Sequence, residues 1–146
     1  MAAITSISNG EAMSSVRTKL NSVITEINIL DPIDWTDYSA TSTIVGWSSF
    51  TAKIIRYRII GKQMFIYFNI SGTSNSTATT FTLPNNSINA NTFFCLAVDN
   101  GATSGAGYSF ATNASNLIDL RKTATGGTWT ASGTKQAFGQ FFIEIA

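Results

Sequence analysis

Two hydrophobic periods divide the chain, and the change falls near residue 31. Before it, Met13, Val16, Leu20, Val23, Ile27 and Leu30 recur in steps of 3, 4, 3, 4 and 3. This spacing predicts a helix from about Asn9 to Asn28 with a heptad seam, Met13, Leu20 and Ile27 at a and Val16, Val23 and Leu30 at d. Ser8 as N-cap and Glu11 three residues on fit a capping box. Asp31-Pro32 supplies the stop, because proline pushes its predecessor out of the α region. β-Branched residues at d disfavour a parallel dimer and favour three or four strands, and Ile24 at e widens the apolar stripe. The alternative is an amphipathic helix lying on its own domain.

After residue 44 the period drops to two. Lys53–Ile60 and Met64–Ser71 predict a hairpin whose Gly61-Lys62 connection suits a type II′ turn. Further strands are expected at Thr79–Leu83, Thr92–Val98, Gly107–Thr112, Asn116–Arg121, Thr128–Ala131 and Gln136–Ile145, with Gly, Asn and Ser between them. The pattern predicts a mainly β protein: an antiparallel β-sandwich, jelly-roll-like, preceded by a coiled-coil helix. The expected organisation is an attachment segment at 1–9, the coiled coil at 10–30, a linker at 31–43 and the head at 44–146.

Several strands are apolar on both faces. Met64, Ile66, Phe68 and Ile70 alternate with Phe65, Tyr67 and Asn69; Phe93, Cys95 and Ala97 alternate with Phe94, Leu96 and Val98. Antiparallel sheets normally leave one face polar. Both faces here call for cover, and a second copy of the chain is the economical source. Helix and strands thus separately predict self-association, as a homotrimer.

Composition narrows the chemistry. Charged residues are 12% of the 146, the formal net charge is +1, and histidine is absent. A phosphate-backbone binder needs a basic face, so nucleic acid is not an expected partner. Catalysis by Ser-His or Cys-His pairs and His-ligated zinc are excluded. The single cysteine, Cys95, allows no internal disulfide and reads as a small buried hydrophobe. No apolar run reaches membrane-spanning length, and the start lacks the pattern of a secretory signal. Thr, Ser and Asn number 20, 17 and 12, yet 10 Phe, 4 Tyr and 3 Trp argue for an ordered β protein.

Asp99, Asp119 and Glu144 are the carboxylates of the β region, and their spacing pairs none of them as a glycosidase requires. They read as partners for Arg56, Arg58, Arg121 or Lys122. Asp31, Asp34 and Asp37 could offer oxygen to calcium but read better as turn caps in the linker. Gly105-Ala106-Gly107 and Gly126-Gly127 lack the Lys-Ser/Thr of a phosphate loop and read as turns. The four sequons, at Asn69, Asn75, Asn85 and Asn113, are about as many as this composition gives by chance. No catalytic residue, metal site or cofactor is expected. Trp129 and Tyr108, each beside glycines, are the candidate ligand contacts, with ring faces for sugar C–H groups and nearby Thr, Ser and Asn for hydrogen bonds. Trp35 and Trp47 read as packing anchors between stalk and head.

These segments also carry a resemblance. Ile7-Ser8-Asn9-Gly10-Glu11 followed by Val16-Arg17-Thr18-Lys19-Leu20-Asn21 is similar to the N-terminal helix of bacteriophage tail fibre proteins. The stretches Gly46-Trp47, Tyr57 to Ile66, Ile70 to Ser76, Thr80-Phe81-Thr82-Leu83-Pro84 and Gly139 to Ile145 resemble their head domains. The resemblance implies a homotrimeric virion fibre or receptor-binding protein on the particle exterior, with residues 1–9 docked to other virion proteins. Its tip would recognise host surface glycan without catalysis and without inserting into the membrane. The near absence of a shaft leaves open a structural head fibre or baseplate protein that binds only virion proteins. A non-viral trimeric lectin-like module is a third reading.

Overall fold

The computed structural model describes residues 10, 12–30 and 34–146. Ser8, Glu11, Asp31, Pro32 and the expected attachment segment 1–9 lie outside the described residues. The chain divides into two units, one reaching to Asp34 and the other spanning Trp35–Ala146.

In the first unit, helix α1 spans Met13–Leu30. It starts later than the predicted Asn9: the Ala12 carbonyl accepts from Val16 N–H at 3.1 Å and so opens the helical ladder. Thr18 and Thr25 return their hydroxyls to the carbonyls of Ser14 and Asn21, one turn back, which removes the competition these residues otherwise offer to helix. Along the predicted seam Met13, Leu20 and Ile24 are exposed, Val16 and Val23 half-buried. The side chains of Ile27 and Leu30 lie outside the described set.

The second unit is mainly β, one antiparallel sheet that curls on itself. In chain order its strands are β1 (Thr36–Asp37), β2 (Ile44–Val45), β3 (Trp47–Ile60), β4 (Gln63–Ser74), β5 (Thr80–Ser87), β6 (Asn91–Asp99), β7 (Ala102–Ala111), β8 (Ser115–Arg121) and β9 (Thr134–Glu144). In space they run β1-β3-β4-β9-β6-β7-β8-β5-β2. The predicted hairpin is present, with Ile60 opposite Gln63 and a positive φ at Gly61. β2 and β3 are successive in the chain, yet β2 ends the sheet order on one side and β3 stands next to its other end. Gly46 turns this corner at φ +109°, and a Cβ there would lie 2.7 Å from the Ala78 carbonyl oxygen. A bridge between Ser87 and Ile145 ties the far end of β5 to the end of β9.

The curl encloses one face of every long strand. Met64, Ile66, Phe68 and Ile70 of β4 are fully buried together with Ile55, Phe81, Leu83, Ile118, Leu120 and Ile143. Phe68 meets Phe81 at 5.2 Å between ring centres although five steps of the sheet order separate their strands. Phe93 stacks on Phe141 at 4.6 Å. Burying each such side chain contributes roughly 1.5–3 kcal/mol.

Three expectations need correction. Residues 35–43, expected as linker, belong to the sheet unit: β1 pairs with β3, and Tyr38 N–H donates to the Ile55 carbonyl. Thr128–Ala131 is not a strand. Its Trp129 is drawn inward, and Thr130 is bound by Asp99 in place of a neighbouring strand. Gly105-Ala106-Gly107 is not a turn but the middle of β7, opposite Ala97, Leu96 and Cys95. Glycine is needed at 107 because a Cβ would come within 2.3 Å of the Arg121 carbonyl oxygen.

Candidate binding face

The outward face of β3, β4, β9 and β6 carries side chains that an isolated sheet would make polar. Register places Arg58 opposite Phe65 and Phe65 opposite Phe142; one strand further, Phe138 stands opposite Leu96. Phe94 is 76% exposed, Phe142 52% and Phe138 37%. The Phe65 and Phe142 rings meet at 5.9 Å between centres, tilted by 40°. A row of aromatic residues thus crosses the sheet, uncovered within the single chain.

Three concavities open on this surface. The Arg58 guanidinium lies between two rings, 5.3 Å from the centre of Trp35 and 5.2 Å from that of Phe65. These rings, with Gln140 and Phe142, line a pocket of about 310 Å³. A larger cleft, about 560 Å³, lies where the start of β6 parts from β9, between Lys62, Gln63, Asn91 and Phe93; Asn89 donates there to the Glu144 carboxylate at 3.2 Å. The third, about 300 Å³, is bordered by the hydroxyls of Thr51, Ser71, Thr73 and Thr134.

The two predicted ligand contacts fare differently. Trp129 is 2% exposed, with its indole N–H donating to the Leu120 carbonyl at 2.8 Å. It is a core residue and not a surface contact; a flanking pair of glycines had suggested an exposed loop, but the loop folds inward. Tyr108 is half-buried on β7, and its hydroxyl lies beside Gly126. Among the described residues no ring contact joins the two. Trp47 is buried, its indole N–H donating to the Lys135 carbonyl, while Trp35 is 40% exposed and flanks Arg58.

Lys135 went unnoticed in the sequence. Its side chain is buried, and Nζ donates to the carbonyls of Gly46 and Ser76 and to Thr79 Oγ1 at 2.7–3.0 Å, above the rings of Trp47 and Trp129. Burial pushes its pKa down to about 8, against the opposing pull of Asp99. Burial would raise the Asp99 carboxyl, but hydrogen bonds from Lys122 and Thr130 outweigh that and hold it below the usual carboxylate range. Through Lys135 the Gly46 corner is tied to the β4–β5 connection, and the group faces inward.

The carboxylates find structural partners: Asp99 pairs with Lys122 at 2.8 Å and Asp119 with Arg121. Asp37 accepts from Ser39, which holds its pKa low. Among the described residues no group of His, Cys, Asp or Glu could hold a metal ion. Cys95 is buried and its thiol is pushed up to about 11 by burial. No described helix is long and apolar enough to cross a membrane. What the outer face offers is non-covalent contact: aromatic area, the guanidinium groups of Arg56 and Arg58, amides and hydroxyls. No family model, curated protein or solved structure matches the chain.

Proposed function

We propose that this protein is a homotrimeric bacteriophage fibre or receptor-binding protein that recognises host surface glycan without catalysis. In this reading the curled sheets form jelly-roll-like sandwich tips, the α1 helices join in a short coiled coil, and residues 1–9 attach the trimer to other virion proteins. The particle exterior is its place of action.

The observation that carries the reading is the uncovered aromatic row, Phe94, Phe138 and Phe142, on a sheet whose other face is already packed. Apolar surface of this kind favours association, and the exposed Met13, Leu20 and Ile24 on α1 ask for the same remedy. The resemblance of the helix and hairpin segments to tail fibre proteins supplies the biological setting. Three identical tips on each fibre would raise weak sugar contacts to useful avidity.

Light scattering on the full chain tests the assembly: a mass near three times 15.6 kDa is expected, and a monomer at micromolar concentration rejects it. Binding of the folded trimer to a glycan array, or blocking of virus adsorption by it, tests recognition. A trimer that does neither leaves the structural head-fibre or baseplate role.

A further inference from the structure

We infer that the pocket between Trp35, Arg58 and Phe65 is a site for a carboxylated sugar, whose carboxylate is taken by the Arg58 guanidinium and whose ring lies on the flanking aromatic faces. This rests on the glycan-recognition reading and names the class of sugar.

The geometry points to a ligand that brings one negative charge. Arg58 has no hydrogen bond or ion pair among the described residues, and its Nε is buried without a partner. Three other cations of the sheet unit have oxygen partners, Lys122 in Asp99, Arg121 in Asp119 and Lys135 in three oxygens, while Lys53 lies over the Phe50 ring. Arg56, two residues away on the same face, stands opposite Asp37. A guanidinium stacked between two rings is held flat and partly dry, the setting in which its planar fork binds a carboxylate best. With Arg58 as the cation in its lining, the pocket suits a monocarboxylate better than a polyphosphate.

Pocket walls decide what carries that carboxylate. The space of about 310 Å³ takes one or two sugar rings, and Trp35, Phe65 and Phe142 offer faces for their C–H groups. Gln140 lines the same pocket and supplies both a donor and an acceptor for hydroxyls. An acidic peptide would use the charge but leave the amide and the ring faces less well matched.

Titration of the full chain, followed by saturation-transfer NMR and calorimetry, tests this with five probes: trigalacturonate, N-acetylneuraminic acid, neutral trigalactose, acetate and an Asp/Glu-rich peptide. At least one acidic sugar is expected to bind at least tenfold more tightly than trigalactose and acetate. Arg58→Gln should lose at least tenfold of that affinity. Arg58→Lys, which keeps the charge but not the fork, should also weaken it, while Lys62→Gln in the neighbouring cleft should not. Amide spectra confirm that each variant is folded. The inference is overturned if neither acidic sugar binds, if Arg58→Gln binds as the parent does, if acetate binds equally well, or if the peptide binds more tightly. Neutral glycans bound while acidic ones fail would reject this site and keep the receptor-binding reading. Acidic sugar bound by a monomer would keep the site and reject the fibre.

Discussion

The Lys135 ammonium lies 5.4 Å from the centre of the Trp129 ring, so a charged group and the largest core side chain share one interior space. Three oxygens make the arrangement tolerable, and two of them are backbone carbonyls, Gly46 at the β2–β3 corner and Ser76 in the β4–β5 connection. Lys135→Met would leave those acceptors unmatched and is expected to lower stability by about 2–4 kcal/mol at neutral pH. Urea denaturation of both proteins measures the difference.

The same lysine should leave a mark on the pH dependence. Its folded pKa of about 8 lies below the unfolded value of 10.5, so between these limits the unfolded chain binds more protons. Stability from this group therefore rises with pH across that window, as the cost of the buried charge is relieved. Denaturation midpoints from pH 7.5 to 10 should improve in the parent relative to Lys135→Met; a constant difference would contradict the assignment.

Gly46→Ala is predicted to be costly. The corner needs a positive φ, and the new methyl would press on the Ala78 carbonyl at 2.7 Å, backbone that cannot swing aside. A loss of roughly 2–4 kcal/mol is expected from the combined strain and clash. An unchanged melting temperature would mean that the corner relaxes freely.

Inner and outer phenylalanines should separate cleanly. Phe68→Ala removes a fully buried ring that meets both Phe81 and Phe141, and should cost about 3–5 kcal/mol. Phe94→Ser on the outer face should change the stability of a dissociated chain by no more than about 0.5 kcal/mol. It should instead reduce the mass seen by light scattering, alone or with Phe142→Ser. If the outer substitutions leave the mass unchanged, that face is not where copies meet.

Cys95 offers a probe of opening. A buried thiol with its pKa pushed to about 11 should resist a thiol-reactive dye at pH 8 until the chain unfolds. Reaction within seconds in native buffer would show that β6 and β9 part readily.

How far the sequence revealed this architecture varied with the physics of each element. The β3–β4 hairpin was readable because alternation and a glycine turn agree on one register. The first half of β7 was missed, although Asn100-Gly101 between Asp99 and Ala102 is a strong hairpin signal, both residues having positive φ. The glycines at 105 and 107 drew attention as turn formers, while glycine at 107 answers a close approach from β8. Lys135 could not be placed from local pattern, because its buried amine depends on Gly46, nearly ninety positions earlier in the chain, and Trp129 could not because its loop folds inward onto β8. Arg58 read as one of several partners for a carboxylate, and its clamp by Trp35 required the β1–β3 pairing.

The position of β9 between β4 and β6 has a consequence for how the protein is made. The latest of the nine strands in chain order is an inner one, so a growing polypeptide holds two partial sheets with raw edges until Thr134–Glu144 emerges from the ribosome. Folding of this unit should then wait on β9 and be slow, since its decisive pairings are distant in sequence. Truncation just before Thr134 would release not a smaller version of the protein but two sticky fragments joined by a tether.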